Sequence, residues 1–328
     1  MKYLVTGAQG CIGAWIVKNL VERGTPVVAY DRDADTRRLE QVAERAALRS
    51  VRFVAGDVRD GTALLAALES EAVTHIIHLA GMQVPACRRD PALGAAVNVI
   101  GTINVLEAAR RRGGIQGLVY ASSAAVMGPE EAYGAGPVPN DALLLPGTHY
   151  GVFKQCNEGN ARVYFQEDGI ASVGLRPYTV YGVGRDTGVT ADVTRAIKAA
   201  VAGRSFHIRF GGRSDLQYVN DTARAFIRAA EAGLPGARCY NLQGAVVRIP
   251  GEFIPLLEQV YPPARGQVTC ADTQLPIAPE LDDSAIGAEI GGIEKTPLRD
   301  GLQQTVALFE RLRSEGRLDL ADLEGQPG

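Results

Sequence analysis

Residues 3–13 read Tyr-Leu-Val-Thr-Gly-Ala-Gln-Gly-Cys-Ile-Gly, and this stretch decides the fold of the first half of the chain. A short apolar strand runs into three glycines, and an amphipathic helical pattern follows over 14–23. The first glycine permits a tight turn, the second lets the backbone approach a pyrophosphate, and the third allows close helix–strand packing. The helix N-terminus then offers free N–H groups to the phosphates. The stretch predicts a dinucleotide site formed by Gly7, Gly10, Cys11, Ile12 and Gly13.

A second strand, 27–30, ends in Asp31, which bears on the choice of dinucleotide. Asp31 lies eighteen residues after Gly13, where a carboxylate can accept a hydrogen bond from a ribose 2′-OH. The same carboxylate would repel the 2′-phosphate of NADP, so the sequence favours NAD. Arg32 acts in the other direction, because a guanidinium could stack on adenine or meet that phosphate. A structural turn followed by a solvated aspartate is the alternative interpretation.

Strand and helix patterns alternate through the first half of the chain. Because the strands are near-continuous apolar runs, the alternation predicts a Rossmann-type α/β fold, a doubly wound parallel sheet with right-handed crossovers. The apolar runs are 3–6, 27–30, 51–55, 75–79, 118–122 and 171–175, and the helical patterns include 14–23, 36–47 and 97–112.

The pattern changes after Pro177, where the alternation becomes irregular and glycine and proline become frequent. This change predicts a smaller C-terminal substrate lobe. We expect 1–176 with 213–242 to form the NAD-binding domain, and 177–212 with 243–312 to form the substrate lobe. Residues 313–328 are predicted to form a polar tail whose last dozen residues fray.

Composition and charge argue against several classes of protein. The chain has 34 Lys and Arg against 37 Asp and Glu, a net charge of -3 that gives no electrostatic footprint for nucleic acid or an anionic membrane. Its five cysteines are scattered without a Cys-x-x-Cys, so we expect reduced thiols rather than disulfides or a metal site. No uninterrupted apolar run is long enough to span a bilayer. These features predict a cytoplasmic protein.

A second group of residues indicates chemistry beside the dinucleotide. Tyr150 and Lys154 have the i, i+4 spacing that places two side chains on one helix face. An ammonium beside a phenol favours the phenolate, which lowers the phenol pKa toward the range of a general acid/base. Ser122 and Ser123 follow a predicted strand, where a hydroxyl can hydrogen-bond a substrate oxygen. A Tyr-x-x-x-Lys pair alone is usually a solvated helix face, but here it follows a dinucleotide fingerprint.

Taken in order, these motifs resemble the extended short-chain dehydrogenase/reductases, often called NAD-dependent epimerases/dehydratases. The similarity covers about 1–310. It rests on Gly7/Gly10/Gly13, Asp31, Asp57-Val58, His78-Leu79-Ala80-Gly81, Asn98-Val99-Ile100-Gly101-Thr102, Ser122-Ser123, Tyr150/Lys154 and Arg176-Pro177-Tyr178-Thr179-Val180-Tyr181-Gly182.

The resemblance implies NAD as cofactor and a catalytic set of Ser123, Tyr150 and Lys154. Tyr150 would be the acid/base, and Lys154 would also hold the nicotinamide ribose. The further cofactor contacts that we expect, beyond the glycine turn, Asp31 and Arg32, are Asp57, Val58, Leu79, Ala80, Gly81, Asn98 and Tyr178.

Three of these positions have structural interpretations as well. Asp57 could be a helix N-cap, Asn98 fits better as a tie between strand and helix, and His78 is expected to be a structural strand-end residue. The resemblance also implies a homodimer paired through helices near 89–112 and 149–167.

Departures from the family pattern narrow the reaction. Ala124 and Ala125 stand where sugar 4,6-dehydratases carry an acidic pair, so dehydration by that route is not expected. Thr179 replaces an asparagine typical of nucleotide-sugar epimerases, and Ser214 replaces an arginine, with Arg213 displaced by one residue. That shift turns a strand side chain to the opposite face, which puts the usual diphosphate clamp in doubt. The expected substrate contacts are Gln83, Ser122, Ser123, Thr179, Arg185 and Arg213.

Three functions remain open at this point. The first is an NAD-dependent dehydrogenase acting at a secondary alcohol or ketone carbon of a sugar, sugar acid or related polyol. The second is a nucleotide-sugar epimerase, similar to UDP-sugar 4-epimerases, that keeps its NAD tightly bound. The third is a non-catalytic NAD(H)-binding regulator, which the intact Ser123, Tyr150 and Lys154 argue against.

Overall fold

A computed structural model describes residues 1–324 of the chain. Its centre is a seven-stranded sheet in the order β10-β6-β5-β4-β1-β2-β3, and every neighbouring pair is parallel. This confirms the predicted Rossmann-type fold. The strands of this sheet are β1 (Tyr3–Thr6), β2 (Val27–Asp31), β3 (Arg52–Ala55), β4 (His75–His78), β5 (Gly117–Ala121), β6 (Ser172–Arg176) and β10 (Ala237–Asn241).

Helices cover both faces of the sheet, because its apolar strands must be buried on both sides. One layer contains α1 (Cys11–Glu22) and α10 (Val219–Glu231), and Ile16, Leu20 and Phe226 are fully buried in its core. The other helices of the first half are α2 (Arg37–Val42), α3 (Arg45–Leu48), α4 (Gly61–Ser70), α5 (Val84–Arg89), α6 (Pro91–Ala95), α7 (Gly101–Arg112) and α8 (His149–Asp168).

The opposite layer is built around α4, α7 and α8. A π-helical turn, Ala96–Ile100, joins α6 to α7, so that Pro91–Arg112 forms one continuous helix. By length and composition alone this helix is long and apolar enough to cross a membrane, although no apolar run of that length was expected from the sequence. In the structure it packs against α4 and α8, with Val105 and Leu106 buried, as a core helix does.

The second half of the chain adds two small sheets. Strands β7 (Thr179–Tyr181), β9 (Arg213–Tyr218) and β11 (Ala245–Arg248) form one, and β8 (Phe206–Ile208) pairs with β12 (Val268–Cys270) in the other. The remaining helices are α9 (Asp192–Val201), α11 (Ile254–Val260), α12 (Ser284–Ile290) and α13 (Leu298–Ser314).

The return of the chain to the large sheet differs in detail from the expected boundaries. We expected all of 213–242 to lie with the NAD-binding domain. Helix α10 and strand β10 do so, whereas β9 pairs with β7 and β11 in the small sheet. The division into two lobes stays a prediction.

The end of the chain is held more firmly than predicted. Leu318 and Leu323 pack against the main core, and the Asp322 carboxylate forms an ion pair with Lys198 on α9. The prediction that the last dozen residues fray is therefore wrong for 317–324, because these contacts fix the segment. The predicted tail residues 325–328 lie outside the described part of the chain.

Candidate active site

The glycine turn between β1 and α1 has the geometry that its sequence predicts. Gly7 has a φ of 66°, and a Cβ there would lie 2.7 Å from the backbone N of Ala80. A Cβ on Gly13 would lie 2.2 Å from the carbonyl oxygen of Gly7, so a side chain would push α1 off the turn. Gly10, the N-cap of α1, has no side chain to cap the helix. The N–H groups of the first turn, at Cys11 and Ile12, are therefore left for an anion.

Asp31 ends β2 beside this turn. Its carboxylate accepts hydrogen bonds from the backbone N–H groups of Gln9, at 3.0 Å, and of Asp33, at 3.3 Å. The carboxylate therefore fixes the turn, and it keeps lone pairs for a further donor such as a ribose hydroxyl. Arg32 follows as an exposed residue. Asp31 therefore lies against the glycine turn, and the contact of Asp31 and Arg32 with the adenosine half of the cofactor stays a prediction.

The end of β3 carries Asp57 and Val58. The Asp57 carboxylate accepts three hydrogen bonds from Arg59, and these lower its pKa below the ordinary range. The helix N-cap of α4 is Asp60, whose side chain accepts from the N–H of Ala63 at 3.0 Å. The alternative role of Asp57 as an N-cap is therefore wrong.

The end of β4 supplies the next wall of the cleft. The N–H groups of Leu79 and Ala80 point to Thr6 Oγ1 at 3.2 and 3.3 Å, which ties this strand end to β1. A Cβ on Gly81 would lie 2.7 Å from Asn98 Oδ1 and 3.6 Å from Lys154 Nζ, so only glycine fits this crowded position. Burial lowers the pKa of His78 to about 3, which agrees with the structural role expected for it.

Asn98 lies at the centre of the π-helical turn and is fully buried. Its amide donates to the carbonyl oxygens of Gly94, at 3.0 Å, and Met82, at 3.2 Å, so it does tie the helix to the strand-end loop. Its own carbonyl oxygen accepts from Asn157 Nδ2 at 2.9 Å. Asn98 Oδ1 has no partner among the described residues, which leaves an acceptor beside Lys154.

The three predicted catalytic residues meet at the carboxyl end of β5. Ser123 Oγ accepts from the N–H of Ala125 at 3.1 Å, and the Ser123 hydroxyl is near enough to Tyr150 to act on the pKa of its phenol. Lys154 is 4% exposed, and its ammonium donates to the carbonyl oxygen of Ala121 at 2.7 Å. Helix α8 holds Tyr150 and Lys154 one turn apart, with Thr148 as its N-cap.

The electrostatics of this set differ from the sequence-based expectation. Burial raises the pKa of the Tyr150 phenol, and the Ser123 hydrogen bond and the charge of Arg185 offset part of that rise. Burial lowers the pKa of Lys154 to about 8. The Lys154 ammonium lies over the Tyr150 ring, 5.5 Å from its centroid, and its charge is not among the causes that shift the Tyr150 pKa. The prediction that Lys154 lowers the Tyr150 pKa is therefore wrong for this geometry.

Four residues predicted to contact a ligand have polar groups that bind other parts of the chain. Thr179 and Ser214 are fully buried, and their hydroxyls lie 3.1 Å apart. Ser122 donates to Glu158, and Arg213 forms ion pairs with Glu130 at 3.1 Å and with Glu280 at 2.6 Å.

Tyr178 is the fourth of these residues. Its hydroxyl donates to the carbonyl oxygen of Ile277 at 3.1 Å, and its N–H donates to Gln217 at 3.2 Å. Internal partners thus engage the polar groups of Ser122, Thr179, Arg213 and Tyr178, and the assignment of these four residues to cofactor or substrate stays a prediction.

Two of the predicted substrate contacts do lie together. With the Gln83 amide oriented so that its hydrogen bonds are satisfied, its oxygen accepts from Arg185 Nη1 at 3.1 Å. Arg185 Nη2 also donates to Thr190 Oγ1 at 2.9 Å. The charge of Arg185 lowers the pKa of both Tyr150 and Cys11, so Arg185 lies within electrostatic range of the catalytic phenol and of the glycine turn.

A buried ion pair next to the catalytic strand end was not predicted from the sequence. Arg176 donates to Glu158 from Nε at 2.8 Å and from Nη2 at 2.7 Å, and both side chains are less than a tenth exposed. Glu158 lies one helical turn after Lys154, and this i, i+4 spacing could have predicted that Glu158 shares the helix face of the catalytic residues. The pair also receives the Ser122 hydroxyl and thereby fixes the strand end that carries Ser123.

The residues around the cleft fit NAD. The uncapped start of α1 suits a pyrophosphate, Asp31 suits a ribose, and Gly81 leaves room beside the unpartnered Asn98 oxygen and the Lys154 ammonium. Within residues 1–324 there is no group of three or more His, Cys, Asp or Glu side chains that could hold a metal ion.

Comparison with known proteins agrees with this geometry. The model of the NAD dependent epimerase/dehydratase family matches residues 3–242, most of the chain. The chain belongs to this family. It is an NAD-dependent enzyme of the extended short-chain dehydrogenase/reductase type, as its motifs predicted, and the regulator hypothesis is set aside.

Epimerases are among the relatives of this chain, and a dehydrogenase is among the solved structures with the same fold. A UDP-glucose 4-epimerase of Mycolicibacterium smegmatis is 30% identical over 325 residues, 94% of this chain and 98% of the relative. The Thermus thermophilus UDP-glucose 4-epimerase in complex with NAD gives a TM-score of 0.80 at 26% identity, covering 94% of this chain and 99% of that one. A partial consensus L-threonine 3-dehydrogenase shares the fold. Its TM-score is 0.84 at 24% identity, and the match covers 95% of this chain and 100% of that one.

Proposed function

We propose that this enzyme is an NAD-dependent dehydrogenase that oxidises a secondary alcohol, or reduces the ketone, of a sugar, sugar acid or related polyol without a nucleotide. One observation carries the choice of substrate class. At the two positions where the family's nucleotide-sugar epimerases place an asparagine and an arginine, Thr179 and Ser214 are buried and hydrogen-bonded to each other. The displaced Arg213 is neutralised by two glutamates.

The energetics of a diphosphate support this choice. A nucleotide diphosphate bears two negative charges, and burying it requires cations or directed donors. Each charge-assisted hydrogen bond that is lost costs roughly 1.5–3 kcal/mol. A site without both usual donors binds such a group weakly unless another cation replaces them.

In the proposed reaction the chain's own residues orient the alcohol and move its proton. The Ser123 hydroxyl hydrogen-bonds the substrate oxygen, and Tyr150 accepts the alcohol proton in oxidation or donates it in reduction. Lys154 and the glycine turn hold the cofactor, with Asp31 on the adenosine ribose. Bound NAD supplies the hydride acceptor.

The second candidate is a nucleotide-sugar epimerase, which the full-length similarity to the UDP-glucose 4-epimerase of M. smegmatis favours. In that reaction the hydride leaves and returns to the opposite face of a ketone intermediate, so NAD is not consumed. The two candidates differ in what happens to the cofactor.

Cofactor exchange tests this assignment. A dehydrogenase requires added NAD and accumulates NADH with sugars, sugar acids or polyols. We expect purified protein to carry little bound NAD and to form NADH with at least one member of such a panel. Protein that retains stoichiometric NAD and interconverts UDP-glucose and UDP-galactose would instead establish the epimerase.

We also propose that the enzyme is a cytoplasmic homodimer paired through the helices near 89–112 and 149–167. Ile100, Val152, Val163 and Phe165 lie on these helices and are 38–48% exposed, which leaves apolar surface on the outer face of the molecule. Of the residues that motivated the expectation, Ala161 is buried within the chain and does not contribute. Light scattering at micromolar concentration should give twice the chain mass of 34.8 kDa, and a monomeric mass would refute the dimer.

A further inference from the structure

Arg185 has no ionic partner although its neighbours do. Around the cleft, Arg38 pairs with Asp186, Arg209 with Asp192, and Arg213 with two glutamates. Among residues 1–324, no carboxylate lies within ion-pair distance of Arg185, and its Nε has no hydrogen-bond acceptor. The side chain is nevertheless only partly exposed. It is therefore a partly buried cation whose counter-charge is absent from the described chain.

The loop around Arg185 holds it in place. The Gln83 amide and the Thr190 hydroxyl each accept from one terminal nitrogen, at 3.1 and 2.9 Å. Gly188 has a φ of 92°, and a Cβ there would lie 2.2 Å from the Gln83 amide, so the loop packs directly against Gln83. Both acceptors are neutral, so they orient the guanidinium without cancelling its charge.

Building on the proposed function, we propose that the substrate carries a carboxylate and that Arg185, positioned by Gln83, binds it next to the Tyr150 hydroxyl. A guanidinium presents a planar fork that matches a carboxylate. Apart from Lys154, which is expected to hold the nicotinamide ribose, the site offers Arg185 as its unpaired cation; a carboxylate brings one negative charge to it, whereas a diphosphate brings two. The substrate class is therefore a hydroxy acid of the sugar series, a uronate or an aldonate.

The oxidation remains balanced for such a substrate. The carbinol carbon loses its hydride to NAD⁺, its hydroxyl loses a proton to Tyr150, and the products are the keto acid, NADH and one proton. The carboxylate does not react, and Arg185 sets which alcohols reach Tyr150.

A matched panel of substrates tests the proposal. D-glucuronate, D-galacturonate and D-gluconate are compared with D-glucose, D-galactose and D-sorbitol in the presence of saturating NAD, by NADH formation and by the shift in Tm. The variants are Arg185→Met, which removes the charge, Arg185→Lys, which keeps it without the fork, and Arg204→Met, which removes an exposed arginine of the same lobe.

We expect the acids to be preferred over the neutral compounds in both assays. Arg185→Met should lower kcat/KM for the acids by about 10- to 100-fold, the loss of one charge-assisted contact, and much less for the neutral compounds. Arg185→Lys should retain part of the preference. Arg204→Met should behave as the wild type, and the Kd for NAD should be the same in all four proteins.

Each failure has its own signature. Equal kcat/KM for acids and neutral compounds, or an equal loss for both in Arg185→Met, would overturn carboxylate recognition and leave the dehydrogenase standing. A loss of NAD affinity in Arg185→Met as large as the loss of kcat/KM would show that Arg185 binds the cofactor, and it would also overturn carboxylate recognition. If no acid is turned over or stabilises the protein, the carboxylate proposal fails. If in addition UDP-sugars are epimerised, the proposed function fails with it.

Discussion

Removing the Glu158 carboxylate should destabilise the protein more than any surface charge change. Glu158→Ala leaves Arg176, which is 4% exposed, with its Nε and Nη2 donors unpaired, while Nη1 keeps the carbonyl oxygen of Asn140 and the amide oxygen of Asn241. The Ser122 hydroxyl loses its acceptor in the same variant.

The size of the effect follows from that burial. Breaking a buried ion pair from one side typically costs about 3–5 kcal/mol, because the other charge stays buried without compensation. At roughly 2.1 cal/mol/K per residue, the unfolding entropy of a chain this long is about 0.7 kcal/mol/K. We therefore expect Glu158→Ala to lower Tm by about 4–7 °C.

Calorimetry or urea unfolding measures this loss, and two variants control for it. Glu22→Ala removes a half-exposed carboxylate that pairs with Lys18, and it should cost less than about 0.5 kcal/mol. The double variant Glu158→Leu with Arg176→Met removes both buried charges and should recover most of the loss. If Glu158→Ala costs no more than Glu22→Ala, the ion pair does not support the strand end that carries Ser123.

Three further predictions concern the catalytic residues and the cofactor. Tyr150→Phe should lower kcat about 10²- to 10⁴-fold and leave the Kd for NAD nearly unchanged, so near-normal turnover would remove Tyr150 from the mechanism. Because burial raises the Tyr150 pKa, alcohol oxidation should accelerate from about pH 7 to about pH 10 while ketone reduction stays flat, and a falling oxidation rate would argue against the phenolate as base. Asp31→Asn, which keeps an acceptor for Gln9, should shift the NAD/NADP ratio of kcat/KM by about 10- to 100-fold toward NADP, whereas an unchanged ratio would make Asp31 a turn residue only.

The sequence predicted those parts of the structure that depend on local backbone geometry. The glycine turn, Asp31 at the end of β2 and the Tyr150/Lys154 helix face lie where their spacing placed them, because spacing alone fixes position on a strand or helix. Neighbouring side chains on β9 face different surroundings, as expected for a strand, since Ser214 bonds Thr179 in the interior and Arg213 pairs with glutamates near the surface.

Side-chain contacts were predicted less well than positions on the backbone, because these contacts depend on distant parts of the chain. Ser122 was assigned to substrate, but its acceptor Glu158 comes from a helix 36 residues later. The single helix predicted over 36–47 is broken at Ala43, which is buried with an extended backbone and carries no local breaking signal. The helix predicted to begin at 97 starts at Pro91 in the structure. The sequence carries a signal for that start, because Asp90 before Pro91 is a typical N-cap pair.

Titration of UDP into the NAD-saturated enzyme tests the central claim most directly. Among residues 1–324 the usual diphosphate clamp is missing, because Thr179 and Ser214 hydrogen-bond each other and Arg213 is neutralised by glutamates. It predicts that UDP and UDP-glucose give no heat of binding at micromolar concentration. Micromolar binding of UDP that is lost in Arg185→Ala would contradict the account and establish Arg185 as the cation of a nucleotide-sugar site.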